Sequence, residues 1–474
     1  MPKVRIHMLR VAFTALALLA GTASVAAGDL SPESLQQRAI ERRATDAVIW
    51  GMPAVNADLM LQEALSKTKA KVNEIVYWSR PVNWKNQTLT PNPDSIYLMS
   101  FWNVKDGPIV IEIPPAEGGS IAGNIVNAWQ MPLEDAGPEG ADKGKGGKYL
   151  ILPPDYMGEV PEGVIALRSD TFTGFALLRS NLKSHSDADI EKSVAYGKTV
   201  KIYKMSEASK PPATAFTDAY DVLFDSTIRY DASFFDNLNR IVQTEPWLER
   251  DRIMIDHLKS LGIEKGKPYQ PNPETRKLLD AAAAEAKAEL SARYDAGFPV
   301  INEGIRWFPA GLPDMVAAAK DAYADPNSYP VDARGVTYTL GFTGIKHIGT
   351  AQFYLMANKD KDGNAFDGSA NYRLVVPKDA PVKQYWSVTA YDRETHALIR
   401  NMDKASVASI GEGVQKNADG SVDVYFGAKA PAGKEANWVP VDPARKFELL
   451  FRLYGPEKPL FEKSWKLPDA EKMP

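Results

Sequence analysis

The sequence predicts a mainly β fold with a helical insert, ordered as helices, β-sandwich, helices, β-sandwich. Three observations predict it. Short strand-like runs broken by Pro and Gly fill residues 77–179 and resume after residue 338. A helix-forming stretch that includes Ala281-Ala282-Ala283-Ala284 lies between them. The chain also spreads 33 Gly and 34 Pro among 10 Trp, 19 Tyr and 17 Phe, a mixture that favours turn-rich β domains over helical bundles. At 474 residues more than one folding unit is expected.

The first 26 residues read as an export signal. Lys3, Arg5 and Arg10 precede the apolar core Val11 to Ala20, and Ala23-Ser24-Val25-Ala26-Ala27 supplies the small-residue exit. Ten apolar residues are too few to cross a bilayer of ~30 Å, so cleavage after Ala26 or Ala27 is expected, with the mature protein periplasmic or secreted.

Helical signals follow over 27–70. Ser31-Pro32-Glu33 offers a cap, an early Pro and an early acid, and Leu35, Ile40, Ala44, Val48 and Met52 recur at helical spacing. Pro53 is expected to interrupt that helix, with the pattern resuming from Ala54 to Ala64. Residues 71–185 hold the first sandwich, in runs such as Ile96 to Trp102, Ile109 to Ile113, Ile125 to Trp129 and Tyr149 to Leu152. Lys143 to Lys148 reads as a solvated hairpin, since it lacks the spacing of a phosphate loop. Residues 186–335 return to helix, with Asp187-Ala188-Asp189 at one start and Thr275 to Tyr294 as the longest segment. Residues 336–474 form the second sandwich, with runs at Tyr372 to Val376, Tyr385 to Tyr391, Val422 to Phe426 and Phe447 to Tyr454. Most of these runs alternate, so one buried face per strand is expected.

Composition excludes several functions. The net charge is −4, and −7 once the three cations of the first 26 residues are removed, a poor electrostatic match for nucleic acid. With zero Cys there is no disulfide, thiol nucleophile or thiolate metal site. His185, His257, His347 and His396 lie far apart without metal-ligand spacing, and no cofactor motif is present. Asp360-Lys361-Asp362-Gly363-Asn364 begins like a calcium loop but has Ala365 and Asn371 where Gly and Glu belong, so a turn is expected. No G-x-S-x-G nucleophile elbow occurs.

Two acidic corners stand out. In Pro91-Asn92-Pro93-Asp94-Ser95-Ile96-Tyr97, two prolines stiffen the backbone around Asp94, which either forms a turn or projects a carboxylate into a cleft. In Tyr391-Asp392-Arg393-Glu394-Thr395-His396, Asp392 and Glu394 fall on one side at strand spacing, or else solvate a turn.

These residues resemble a known family. Asn86-Gln87-Thr88 through Pro91 to Tyr97, Gly107-Pro108 and Gly147 to Pro154 are similar to the domain of unknown function 1254. Asp367-Gly368-Ser369, Tyr385 to Asp392, Asp419 to Gly427, Asn437-Trp438-Val439-Pro440 and Arg452 to Pro456 resemble its companion, the domain of unknown function 1214. The resemblance implies an immunoglobulin-like sandwich, a helical region and a jelly roll, and implies no activity.

Export, paired sandwiches and aromatics beside acids lead to one functional expectation: a glycan- or glycoconjugate-directed hydrolase working in a cleft between the β domains without metal or thiol. Asp94 and Asp392 are the acid–base candidates with Glu394 in reserve, Tyr97, Trp129 and Trp438 the sugar platform, and Arg452 the group orienting an anion or carbonyl. The alternative is a non-catalytic ligand-binding or envelope-associated protein. Amino-terminal sequencing of the exported protein is expected to begin at Ala27 or Gly28, and a start at Met1 would overturn the cleavage reading.

Overall fold

In a computed structural model of the chain, residues 29–341, 344–347 and 351–474 are described, so the export signal expected over residues 1–26 lies outside the described residues. Among them are 21 strands and eight α-helices, a mainly β fold with helical parts. The chain divides into two units, residues 1–39 and residues 40–474. Of the first, the entry to helix Pro32–Lys67 is seen, with Ser31 N–H donating to Asp29 Oδ1 at 2.9 Å.

The first β region contains two sheets. One runs Phe216–Asp218, Ile75–Tyr77, Ile96–Asn103, Thr173–Ser180, Ile121–Asn127, Pro132–Ala136; the other Lys201–Lys204, Ile109–Ile113, Gly147–Leu152, Ile165–Arg168. Leu98, Trp102, Ile125, Ala176 and Leu178 of the first sheet share a core with Ile109, Ile111, Tyr149 and Ile151 of the second. The second β region repeats the plan. Its five-stranded sheet runs Phe308–Pro309, Gln352–Ala357, Phe447–Tyr454, Trp386–Asp392, Ser406–Ala408. Leu355, Val388, Leu449, Phe451 and Leu453 of that sheet pack with Leu374, Val424 and Phe426 of a four-stranded one.

The central strands depart from the expected single buried face. All eight residues of Phe447–Tyr454 are buried, and so are the first seven of Ile96–Asn103. Odd and even positions serve different cores. Leu98 and Trp102 enter the first sandwich, whereas Tyr97, Met99 and Phe101 join a third core with Phe175, Leu177, Met356 and Leu450. Helical residues such as Met52, Val55, Leu238, Ala283, Leu290 and Tyr338 complete that core. A strand covered on both faces reads as a continuous apolar run, which hides its alternation.

Helix Pro32–Lys67 runs through Pro53 without a break, against the expected interruption. Proline in a helix interior costs about 3 kcal/mol, but here Met52, Ala54 and Val55 are all buried and tertiary packing outweighs it. Gln130 Nε2 also donates to the Pro53 carbonyl at 2.8 Å. Two further differences lie in residues 186–335. Lys201–Lys204 and Phe216–Asp218 extend the first sheets, and Phe308–Pro309 extends the second region backwards. Asp187–Gly197 and Pro273–Ala296 are helices, capped by the side chains of Ser186 and Asn272.

Gly174 sits opposite Trp102 in the first sheet. A Cβ there would lie 2.1 Å from Trp102 Cζ2 and 2.2 Å from the Val126 carbonyl oxygen. Gly174→Ala is therefore expected to cost about 1–3 kcal/mol or more through overpacking, read as a lower urea midpoint at unchanged slope. A midpoint equal to wild type would refute the packing argument.

Candidate functional site

The third core is not filled throughout. Between the two β regions it leaves a small cavity, about 60 Å³ measured by where the centre of a water-sized molecule fits. Its walls come from the sheet faces turned away from each sandwich. In the first region Tyr97 pairs across the ladder with Arg179, and in the second Tyr354 pairs with Arg452. All four line the cavity. The same device, a guanidinium beside a cross-strand tyrosine, thus enters from both sides. The Arg179 guanidinium lies 5.4 Å from the Tyr97 ring, and that of Arg452 lies 5.3 Å from the Tyr354 ring. Met99, Leu177, Met356 and Leu450 flank them on the same faces.

Both cations are buried, Arg179 to 6% exposure and Arg452 to 1%. Neither has a carboxylate within salt-bridge reach among the described residues, and the described lining contains no Asp, Glu, Lys or His. Arg452 is held by neutral acceptors. Its Nη1 donates to Thr389 Oγ1 at 3.0 Å, and its Nη2 to Tyr391 Oη at 2.6 Å and to the carbonyls of Thr90 and Pro91 at 2.9 and 3.3 Å. Its Nε has no partner. Arg179 keeps both Nε and Nη1 unpartnered, and the Tyr354 hydroxyl is likewise buried without one. Burial alone would depress both arginines, but the surrounding tyrosines oppose it and the balance lies above the ordinary guanidinium value. Both stay protonated.

The proline-rich segment supplies the remaining wall. Thr90 has φ +38°, and its N–H donates to the His396 carbonyl at 2.7 Å while its hydroxyl donates to the Leu340 carbonyl at 2.8 Å. Asn92 Nδ2 donates to Tyr454 Oη at 2.6 Å, and the Asn92 N–H to Tyr97 Oη at 2.8 Å. The stretch from Thr88 to Asp94 therefore straps the first region onto the second.

Of the seven residues expected from sequence, Tyr97 and Arg452 line the cavity and the other five do not. Asp94 is fully buried behind the strap, where Ser406 Oγ donates to its Oδ1 at 2.9 Å and Oδ2 is unpartnered. His185 Nε2 stands 3.4 Å from the same Oδ1. Asp392 is a turn-former. Its Oδ1 accepts the N–H groups of Glu394 and Thr395 at 2.9 and 3.0 Å, and Arg445 grips both carboxylate oxygens. Burial raises its pKa, but Arg445 and the turn N–H groups outweigh that and hold it below the usual carboxylate range. Glu394 is exposed beside Arg445 and Lys287. Trp129 packs tilted against Trp50, with ring centroids 4.5 Å apart and planes at 48°, and Trp438 Nε1 donates to the Gly427 carbonyl at 2.9 Å. Asp94 and Asp392 share no partner, so the expected acid–base pair is not assembled. Asp392 is satisfied by its own turn and by Arg445, as short polar side chains beside turns commonly are, whereas Asp94 keeps one oxygen unpartnered among the described residues.

Arg179 and Tyr354 belong to no motif in the sequence. One signal was available: Gly174-Phe175-Ala176-Leu177-Leu178-Arg179 carries a single cation in an otherwise apolar strand, as does Leu449-Leu450-Phe451-Arg452-Leu453.

Residues 72–204 match the family model described as a protein of unknown function, DUF1254, and residues 351–458 match another so described, DUF1214. The chain carries the two in that order. It is similar to the crystal structure of the VPA0106 protein from Vibrio parahaemolyticus, with 20% identity and a TM-score of 0.58, over 92% of this chain and 100% of that one. At that identity the likeness speaks for the fold alone. A putative uncharacterized protein from Burkholderia cenocepacia aligns over 93% of this chain and 95% of its own, with 12% identity and a TM-score of 0.38. No curated protein matches.

Because the Asp392 carboxylate is favoured in the folded state, its stabilisation is present above the unfolded pKa of about 3.9 and is lost as pH falls through the lower folded value. Arg445→Met is expected to lower stability at pH 7 by about 1–2 kcal/mol, discounted for the part-exposed guanidinium, with the deficit shrinking below about pH 4. Urea titrations at pH 7, 5 and 3 check this; a deficit constant across that range would contradict it.

Proposed function

For a chain that joins these two domains of unknown function, we propose that the cavity between the β regions binds a small organic anion with an apolar body. One observation carries the reading: a buried guanidinium enters from each region, and neither has a carboxylate partner among the described residues. A buried charge without a counter-charge is destabilising by several kcal/mol, and an anionic ligand would offset that cost. Arginine suits the task, since its planar fork meets carboxylate or phosphate oxygens in pairs. The methionine and leucine side chains on the same faces suit an apolar body.

Arg334 provides the contrast. It too is buried and without a carboxylate in salt-bridge reach among the described residues, but it is enclosed by Tyr323, Tyr329 and Tyr338, donates to the Trp129 carbonyl at 2.5 Å and to Tyr323, and has no nitrogen that is both fully buried and unpartnered. Arg334 is a closed structural cation. Arg179 and Arg452 keep free donors at a cavity.

The glycan hydrolase reading needs acids at the cleft, and the described lining offers none. Ligand binding is the reading the geometry favours. With the export segment read from the amino terminus, the ligand is met outside the cytoplasm.

A thermal-shift screen of wild type and Arg179→Met against small carboxylates and their neutral amides tests the proposal. Carboxylates are expected to raise the wild-type Tm, by an amount equivalent to about 2.7 kcal/mol at a hundredfold excess over Kd. The amides should have no effect, and Arg179→Met should weaken binding at least about tenfold. Equal shifts from acids and amides, or an undiminished response in the variant, would sink it.

A further inference from the structure

We propose that the ligand of this cavity is a dianion, two acidic groups carried by one small molecule with an apolar body, so that each β region supplies the guanidinium for one negative charge. The inference rests on the anion-binding reading above and adds the charge of the ligand.

The argument starts from the duplication. Arg179 stands on the first sheet opposite Tyr97, and Arg452 on the second sheet opposite Tyr354, each at a position whose neighbours in sequence point into a sandwich core. The two cations reach one cavity from different sheets, and each retains donors without an acceptor among the described residues: Nε and Nη1 of Arg179, Nε of Arg452. A single negative charge would leave one buried guanidinium uncompensated, the arrangement that interiors avoid. Two negative charges close the balance without any acid from the protein.

Neutral groups complete the recognition. The Tyr354 hydroxyl is buried, unpartnered and at the same wall, placed to donate to an anionic oxygen. Asn124 also lines the cavity, with one Nδ2 hydrogen given to Asp135 Oδ1 at 2.8 Å and its Oδ1 unpartnered among the described residues. Met99, Leu177, Met356 and Leu450 are apolar neighbours suited to a short hydrocarbon spacer and offer nothing to a sugar's many hydroxyls.

Calorimetric titration at pH 7.5 compares matched pairs on the full mature chain: hexanoate with adipate, octanoate with suberate, benzoate with terephthalate, and phenyl phosphate as a dianion carried on one group. At least one dianion is expected to bind about tenfold or more tightly than its monoanion partner. In Arg179→Met that advantage should fall to within about twofold, and Tyr354→Phe, which deletes only the free hydroxyl, should keep the preference while lowering affinity. Phenyl phosphate binding above every dicarboxylate would place both guanidiniums on one group and overturn the two-group inference; the reverse order supports it. Monoanions binding within about threefold of their dianions in every pair would overturn the inference and leave the anion site standing. No binding by either class would overturn both.

Discussion

Arg452 lies in the seam of the molecule. From the second β region it donates to Thr389 on its own sheet and to the carbonyls of Thr90 and Pro91 on the other region. Those carbonyls are available because the strap from Thr88 to Asp94 folds back on itself, with Thr90 at positive φ and Tyr391 Oη donating to Pro91 at 2.5 Å. A charge-assisted hydrogen bond is roughly twice as strong as a neutral one, so a single side chain both joins the regions and fixes one wall of the cavity. The proline-rich motif owes its rigidity to this service.

The helical elements are tied in by a second set of buried polar groups. Glu448, from the same strand as Arg452, is fully buried and accepts from Tyr294 Oη at 2.8 Å, with His396 Nδ1 at 2.7 Å. Tyr294 belongs to helix Pro273–Ala296, so this cluster fastens the helix to the sheet. Every oxygen of Glu448 has a partner, which is what a structural buried carboxylate requires. Among the described residues three guanidinium nitrogens, a phenol and an amide oxygen at the cavity fall short of that standard, and so do atoms elsewhere such as Asp142 Oδ2 and Asp251 Oδ2. What sets the cavity apart is that five of them meet at one hollow, which is the ground for the ligand-binding proposal.

Much of the architecture is written locally. The helix around Ala281 to Ala284 and the strand runs at Ile109 to Ile113 and Val422 to Phe426 sit where periodicity and turn residues place them, while the cap expected at Asp187 falls one residue earlier, on Ser186. Asp392 shows the same for function: an Asp followed by polar turn residues is a turn-former by its own chemistry, and its neighbours in sequence supply its partners. Pro53 shows the limit, since only packing from distant residues keeps the helix continuous through it.

The amino-acid order by itself determined the β-rich class, the two family domains and which residues could alternate between faces, because these depend on spacing along the chain. It also offered Tyr97 and Arg452 as members of the site. Tertiary structure alone decided what covers the second face of each central strand, and so which charges are compensated. Arg179 reads as an ordinary cation until the fold places no acid beside it, for a missing partner is a property of three-dimensional neighbours and leaves no trace in a string of residues.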